Sequence, residues 1–525
     1  MNLLNIKTTY LTPVLILVSA GLSAFPLFGQ TPAISDPATK SQPATPVAIL
    51  ISAKNELQDN FVRQITDKSF SALLAPPLNP NDSAEPKAIN PPRIPSQALR
   101  HLSLDNAIDL LTQNNLSVIA ARYNVNLAVA QKLVAGLRPS ASVTITVNQL
   151  VIPRLLLAPR EFFKTSNSSS VAVNATYTVE YDRLIERGNK RNLRITQAEI
   201  NSRAAETQVR DALRQQIFQL KQSFLAALLA RENLRVAVEN YGSFNKSQII
   251  LASQVAEGYA AGVDLKRIEL QKLSFQRDIS NSEQTFQQSI RDVYNLIGIG
   301  DNVSVVDEAK AINYDSTAFM PQLKESLEIL DGNLDFEPAL LSIAELRRLA
   351  LENRPDVKTS ELNLEAAKAG LKLAQAQQSR DITVGVQYMR SGNDNAIGAV
   401  TTIPLSIKKR AELAQTAAQI NIKIAESQLR QVQTQALTDV EKAFTAYMIS
   451  RERLRLFTDG SLKTALDVRH IEEISYRDGV KSLLDYLDAQ HIYNQTVTDF
   501  NQSRYDYLLS LTQLESGVGT KLPVK

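Results

Sequence analysis

Two periodicities organise this chain. The first has period 2. Val143, Ile145 and Val147 alternate with Thr144, Thr146 and Asn148. Val171, Val173, Ala175, Tyr177, Val179 and Tyr181 alternate with Ala172, Asn174, Thr176, Thr178 and Glu180. Ile382, Val384, Val386 and Tyr388 alternate with Thr383, Gly385, Gln387 and Met389. Ile397, Ala399, Thr401, Ile403 and Leu405 alternate less cleanly with Gly398, Val400, Thr402, Pro404 and Ser406. Each run predicts a strand with one apolar and one polar face. That suits a membrane barrel strand of about 9–11 residues, and equally a soluble half-buried hairpin. The second periodicity is helical. Val209, Leu213, Ile217, Leu220, Phe224 and Leu228 form a coiled-coil seam. Residues 190–256 contain no Pro and a single Gly. At 1.5 Å per residue such a helix reaches roughly 100 Å. A turn at Gly258-Tyr259-Ala260-Ala261-Gly262 follows, and Phe275, Ile279, Phe286, Ile290, Val293 and Ile297 stripe a returning helix. Residues 408–475 predict a second outgoing helix, and 482–515 its return.

The elements come twice because the sequence does. At an offset of 239 residues, Leu102-Ser103-Leu104 matches Leu341-Ser342-Ile343, Asn114 matches Asn353, and Ala128 matches Ala367. At 220, Phe224 and Ala226 match Phe444 and Ala446, and Arg231-Glu232 matches Arg451-Glu452. At 217, Gly262-Val263 matches Gly479-Val480. Two tandem copies result, 102–299 and 341–516. Each runs helix, two strands, long helix, return helix. A non-repeated linker, 300–340, joins them, and 517–525 form a tail.

The ends differ from this pattern. Residues 1–24 read as a secretory signal, with Lys7, an apolar run from Leu11 to Leu22, and Ser23-Ala24 at the cleavage site. Residues 25–100 form a Pro-rich arm, interrupted by a possible short helix near 54–74, that reads as a disordered linker. No other segment has 18 consecutive apolar residues, so any membrane crossing must use strands. Four strands cannot close a barrel, and open edges are not tolerated in lipid. Two chains would give eight strands, three would give twelve. The expected fold is mainly α with a small β part.

Composition narrows the function. The 525 residues include no Cys, which excludes disulfides and thiolate chemistry, and only three His, far apart. A net charge of +3 does not suggest nucleic acid. No Gly-rich phosphate loop, Ser/His/Asp set or metal-spaced His cluster occurs, so no enzyme, cofactor or metal is expected.

The stretch Tyr476–Gln490 carries the candidate chemistry. Arg477-Asp478-Gly479 is turn chemistry. Ser482 with Asp485 reads as a capping box. Asp485 and Asp488 lie on one helix face, one turn apart.

Residues 102–516 resemble the TolC family of outer-membrane efflux channels. The tandem repeat, Glu352-Asn353-Arg354-Pro355-Asp356 and the tip Gly479-Val480-Lys481-Ser482-Leu483-Leu484-Asp485-Tyr486-Leu487-Asp488-Ala489-Gln490 carry the likeness. The resemblance implies a homotrimer with a 12-stranded barrel in outer-membrane lipid and an α-helical tunnel through the periplasm. It implies two partners: a periplasmic adaptor (membrane fusion protein) and an inner-membrane pump or ABC transporter. The cargo would be small molecules, proteins or both. It places Asp485 and Asp488 in a periplasmic constriction ring. It marks Gly258, Gly262, Val263, Gly479 and Val480 as adaptor-docking tips. Tyr476 and Lys481 match positions that tie neighbouring helices shut. The usual acidic partner position holds Ile268, so a tie would run through Glu269 or Asp264. The alternative is a periplasmic coiled-coil adaptor or envelope scaffold without a channel.

Overall fold

The computed structural model describes residues 101–148, 176–259, 261–299, 328–336, 341–391, 394–405 and 408–522. The signal, the arm with its short helix, the 153–170 loop and most of the linker lie outside the described residues. In chain order the elements are α1 (Leu104–Asn114), α2 (Leu116–Gly136), β1 (Ser142–Asn148), β2 (Thr176–Ile185), α3 (Lys190–Ala256) and α4 (Gly262–Leu296). The second half follows the same order: α5 (Ile343–Asn353), α6 (Pro355–Ala376), β3 (Ile382–Ser391), β4 (Asp394–Thr402), α7 (Lys408–Leu456), a π-helical turn at Phe457–Ser461, α8 (Leu462–Arg477) and α9 (Leu483–Val518).

The long helix is continuous, as its seam requires. α3 has 67 residues and so reaches about 100 Å. Its seam residues Val209, Ile217, Leu220, Phe224 and Leu228 are buried. So is the whole expected return stripe of Phe275, Ile279, Phe286, Ile290, Val293 and Ile297. α3 lies against α2 and α6 in one part and against α4 and α9 in another. It is the shared wall of the two halves.

Three boundaries differ from the sequence reading. The first helix, expected unbroken to about Arg138, splits at Asn115. The Asn115 side chain accepts from the Ser117 and Val118 amides at 3.0 and 3.1 Å, so it caps a new helix. In the second half the matching break falls at Arg354, where Pro355 cannot continue the preceding ladder. The outgoing helix of the second half breaks at Phe457–Ser461, where Gly460 takes φ +113°. β4 runs from Asp394 to Thr402 rather than to Leu405. Pro404, lacking an N–H, cannot extend the pairing.

The four strands form one antiparallel sheet in the order β1-β2-β3-β4. Its register sorts the side chains. Ile145, Val179, Tyr388 and Ile397 stand in one row, and Val143, Tyr181, Val386 and Ala399 in the next. The opposite face carries Thr144, Glu180, Gln387 and Gly398. The apolar rows have no cover: Ile145 is 69% exposed and Ile397 81%. No described element packs on them, and β1 and β4 leave both sheet edges unpaired among the described residues. A soluble hairpin would bury that face. No described helix is long and apolar enough to cross a membrane.

Each return helix ends against the start of its own half. Asn115 Nδ2 donates to the Leu296 carbonyl at 2.8 Å, which sets α4 against α2. At the matching point, Arg354 Nη1 donates to the Gly517 carbonyl at 3.3 Å, which sets α9 against α6. The described piece of the linker, 328–336, is clasped at mid-length. Arg231 donates to the Leu330 and Gly332 carbonyls, and Arg504 to the Leu334 carbonyl.

Candidate functional site: the helix tips

The tip of the second half is built as its sequence predicts. Gly479, at φ +75°, reverses the chain, and the amides of Gly479 and Val480 bond back to Tyr476 and Ser475. A Cβ at Gly479 would meet no neighbour, so its backbone angle is the constraint. Ser482 and Asp485 form the full capping box. The Ser482 amide donates to Asp485 Oδ2 at 3.1 Å, the Ser482 hydroxyl to the same oxygen at 2.7 Å, and the Asp485 amide to Ser482 Oγ at 3.3 Å. The Ser482 hydroxyl and amide bonds, with the nearby Lys481 charge, hold the Asp485 carboxyl below the usual carboxylate range. Asp485 and Asp488 are both exposed, on the face turned away from the buried Leu483, Tyr486 and Ala489.

The residues that anchor this tip were not singled out from sequence. Tyr486 is fully buried between the two aspartates in sequence. Its ring stacks on Tyr476, with centroids 5.6 Å apart and planes 6° from parallel. Its hydroxyl lies 3.1 Å from Ser247 Oγ on α3. Burial raises the pKa of both tyrosines, and the Asp264 charge adds to the effect on Tyr476. One turn further, Gln490 Nε2 donates to Asn240 Oδ1 of α3 at 3.3 Å, both groups buried. The available signal was the apolar set Leu483, Tyr486 and Ala489–Gln490 at helical spacing. It was masked by the more conspicuous acids.

Ile268 explains its own departure from the acid expected there. It is 0% exposed and belongs to the same core cluster as Leu483 and Tyr486. A carboxylate here would be buried without a partner. Within one chain, Lys481 faces Glu472 at 3.6 Å and Asp264 faces Arg267 at 3.4 Å. Glu269 is exposed. Gly258 takes φ +82° at the first tip. Gly262 starts α4 in open space. Val263 and Val480 are exposed apolar side chains at the two ends.

A second cluster of charge sits at the other end of α9. The Arg354 guanidinium, 4% exposed, forks onto both oxygens of Asp356 at 2.7 and 3.0 Å and reaches Asp439 at 3.0 Å. Burial pushes the Asp356 pKa up. The Arg354 bonds and charge, with Arg214 and the Val357 amide, outweigh this and hold it below the ordinary value. Arg354 and Asp439 line a cavity of about 270 Å³ with Arg214, Phe218 and Lys442. Among the described residues no His, Cys, Asp and Glu group could hold a metal.

A sheet with a bare apolar face and open edges, joined to about 100 Å of paired helix, has the build of a strand set that is completed outside its own chain. Comparisons with known proteins agree. Residues 346–520 match the family model described as outer membrane efflux protein. The cobalt-zinc-cadmium resistance protein CzcC of Cupriavidus metallidurans is 22% identical over 406 residues, covering 76% of this chain and 85% of CzcC. Outer membrane protein TolC of Vibrio cholerae is 24% identical over 348 residues, 58% of this chain and 75% of TolC. The fold matches the Campylobacter jejuni CmeC outer membrane channel with a TM-score of 0.60 at 16% identity, over 86% of this chain and 95% of CmeC. Residues 346–520 therefore carry an outer membrane efflux protein domain, and the chain as a whole shares the fold of such channels. The matches support an efflux channel rather than an enzyme. It sits in the outer membrane with its helical part in the periplasm.

Proposed function

We propose that three copies join edge to edge, β1 of one chain beside β4 of the next, to close a 12-stranded barrel. The observation that carries this is the four-stranded sheet with a bare apolar face and two unpaired edges. Lipid demands that every strand edge be paired, and three chains supply twelve strands. The helices of the three chains then enclose one tunnel, and Asp485 and Asp488 form two carboxylate rings at its periplasmic end. Such rings favour cations and slow anions. The tips around Gly258, Gly262, Val263, Gly479 and Val480 receive the periplasmic adaptor, which couples the duct to an inner-membrane pump or ABC transporter. Lys481 and Tyr476, with Asp264 or Glu269 of the facing hairpin, tie the tunnel shut. The relatives' names cite cobalt, zinc and cadmium resistance and pyoverdine export. For this chain we propose small-molecule cargo, with protein export through the same duct as the second use.

The chain has no cysteine, so introduced cysteines have no background. Ile145→Cys on β1 combined with Ile397→Cys on β4 places thiols on facing edges of neighbouring copies. Oxidation yields a covalent trimer on a non-reducing gel. A ladder that stops at dimer, or monomer alone under conditions where the detergent-solubilised complex is intact, overturns the arrangement.

A further inference from the structure

The periplasmic ends of all four strands are basic. β1 is entered from Arg138 and β3 from Arg380. β2 leaves through Arg183 and Arg187, and β4 leads into Lys408-Lys409-Arg410 at the start of α7. All seven side chains are exposed. Four carboxylates share these junctions, and two of them are occupied. Lys190 Nζ holds both oxygens of Asp381 at 2.8 Å, and Arg194 forks onto Glu186. Asp182 stands opposite Gly385 on the polar face of the sheet, so it does not face lipid. Only Glu412 remains on the α7 side. Arg183, in contrast, stands opposite Val384, in register with the apolar rows that face lipid. The excess positive charge therefore sits at the rim of the membrane face.

The same rim carries exposed apolar side chains. Leu137 precedes Arg138 and Ile185 precedes Arg187. Leu405, 80% exposed, lies before Lys408, and Leu413 follows Arg410. Alternating apolar anchors and long cationic side chains is the composition of a headgroup-level belt. The stems lie along apolar surface and the charged ends reach out to phosphate. A collar made only for solubility would not need apolar partners at three of its four stations. A collar made for a soluble polyanion would not track the membrane edge strand by strand.

We propose that this collar binds the headgroups of anionic phospholipids in the periplasmic leaflet of the outer membrane. Charge complementarity identifies the occupant, together with continuity of the collar with the lipid-facing rows of the sheet. The binding fixes the height of the sheet in the membrane, and so the level at which α3 and α7 emerge. The proposal rests on the strands crossing the outer membrane.

The test uses the full-length protein in detergent, titrated with dioleoyl phosphatidylglycerol or dioleoyl phosphatidylcholine and followed by native mass spectrometry. Near-surface basic residues each contribute about a fivefold gain toward anionic lipid. Phosphatidylglycerol is expected to bind at least about tenfold more tightly than phosphatidylcholine, and the preference to shrink in 0.5 M salt. The variant Lys408→Gln/Lys409→Gln/Arg410→Gln is expected to lose about tenfold of that preference, and Arg138→Gln/Arg380→Gln to move in the same direction. The charge-keeping Lys408→Arg/Lys409→Arg/Arg410→Lys retains it, which separates lost binding from misfolding. Lys463→Gln, remote on α8, leaves it unchanged. Equal binding of the two lipids, or neutral variants that bind like the wild type, overturns the proposal. Inorganic tripolyphosphate bound as tightly as phosphatidylglycerol also overturns it, by making the collar a free-anion site. A protein that stays soluble without detergent would instead overturn the membrane reading beneath it.

Discussion

Arg354 and Asn115 occupy matching places in the two halves and do the same job with different chemistry. Asn115 caps a helix and bonds a carbonyl. Arg354 neutralises two carboxylates and bonds a carbonyl from within the fold. Removing one partner of a buried ion pair leaves the other uncompensated, at a cost of about 3–5 kcal/mol. Asp356 and Asp439 retain some exposure, which places Arg354→Ala near about 3 kcal/mol on that scale. Thermal unfolding in detergent measures it. Asp356 has its native pKa held below the unfolded one. Its contribution is therefore complete above the unfolded value of about 4 and lost as pH falls through the lower native value. In Arg354→Ala this acid-side loss should flatten. At the tip, Ile268→Ala should cost roughly 2–5 kcal/mol of local stability by cavity formation, and Ile268→Asp more, by burying a charge. Sequence could show that Ile268 departs from an acid. It could not show why, because the reason is packing with Leu483 and Tyr486, more than 200 residues later in the chain.

At the scale of elements, strands and seams were legible because periods of 2 and 3.6 are local properties. The partition of the first helix at Asn115 and the break in the second outgoing helix were not. Asn115 ends the polar run Thr112-Gln113-Asn114-Asn115, which a long helix can also carry on an exposed face. Asp459-Gly460 is a turn signal within a helical run, but one Gly is often tolerated there. The consequence is asymmetry. α8 has no buried residue, whereas α3 over the corresponding stretch, 242–257, buries Phe244 and Leu251. α8 also hangs between two positive-φ glycines, Gly460 and Gly479, each with open space around it. Few buried contacts mean low local stability. Amides of 463–476 are therefore expected to exchange hydrogen faster than those of 243–256. Equal protection would show that α8 is held by contacts other than its own chain. Gly460→Ala, at φ +113°, should be strained by roughly 1–2 kcal/mol or force the helix straight.

At the scale of the whole molecule, the bare face of the sheet and the open strand edges decide the matter. A periplasmic scaffold has no use for four strands whose apolar rows meet nothing among the described residues. The mainly helical plan with four strands was legible early, because the order of elements follows the periodicities along the chain. The gate was less legible. Its acids sit on an exposed face, and within one chain Lys481 and Asp264 face Glu472 and Arg267 rather than each other. Asp485→Ala with Asp488→Ala should weaken block of the channel by multivalent cations applied from the periplasmic side. Unchanged block would remove the carboxylate rings from the account.

The central claim is that this chain builds a conducting pore. Recording the purified protein in planar lipid bilayers tests it directly. Discrete, uniform, cation-preferring conductance steps are expected, with small openings in the resting state and larger ones when Tyr486→Ala loosens the tip. Silent bilayers, from a protein that remains in solution without detergent, would contradict it.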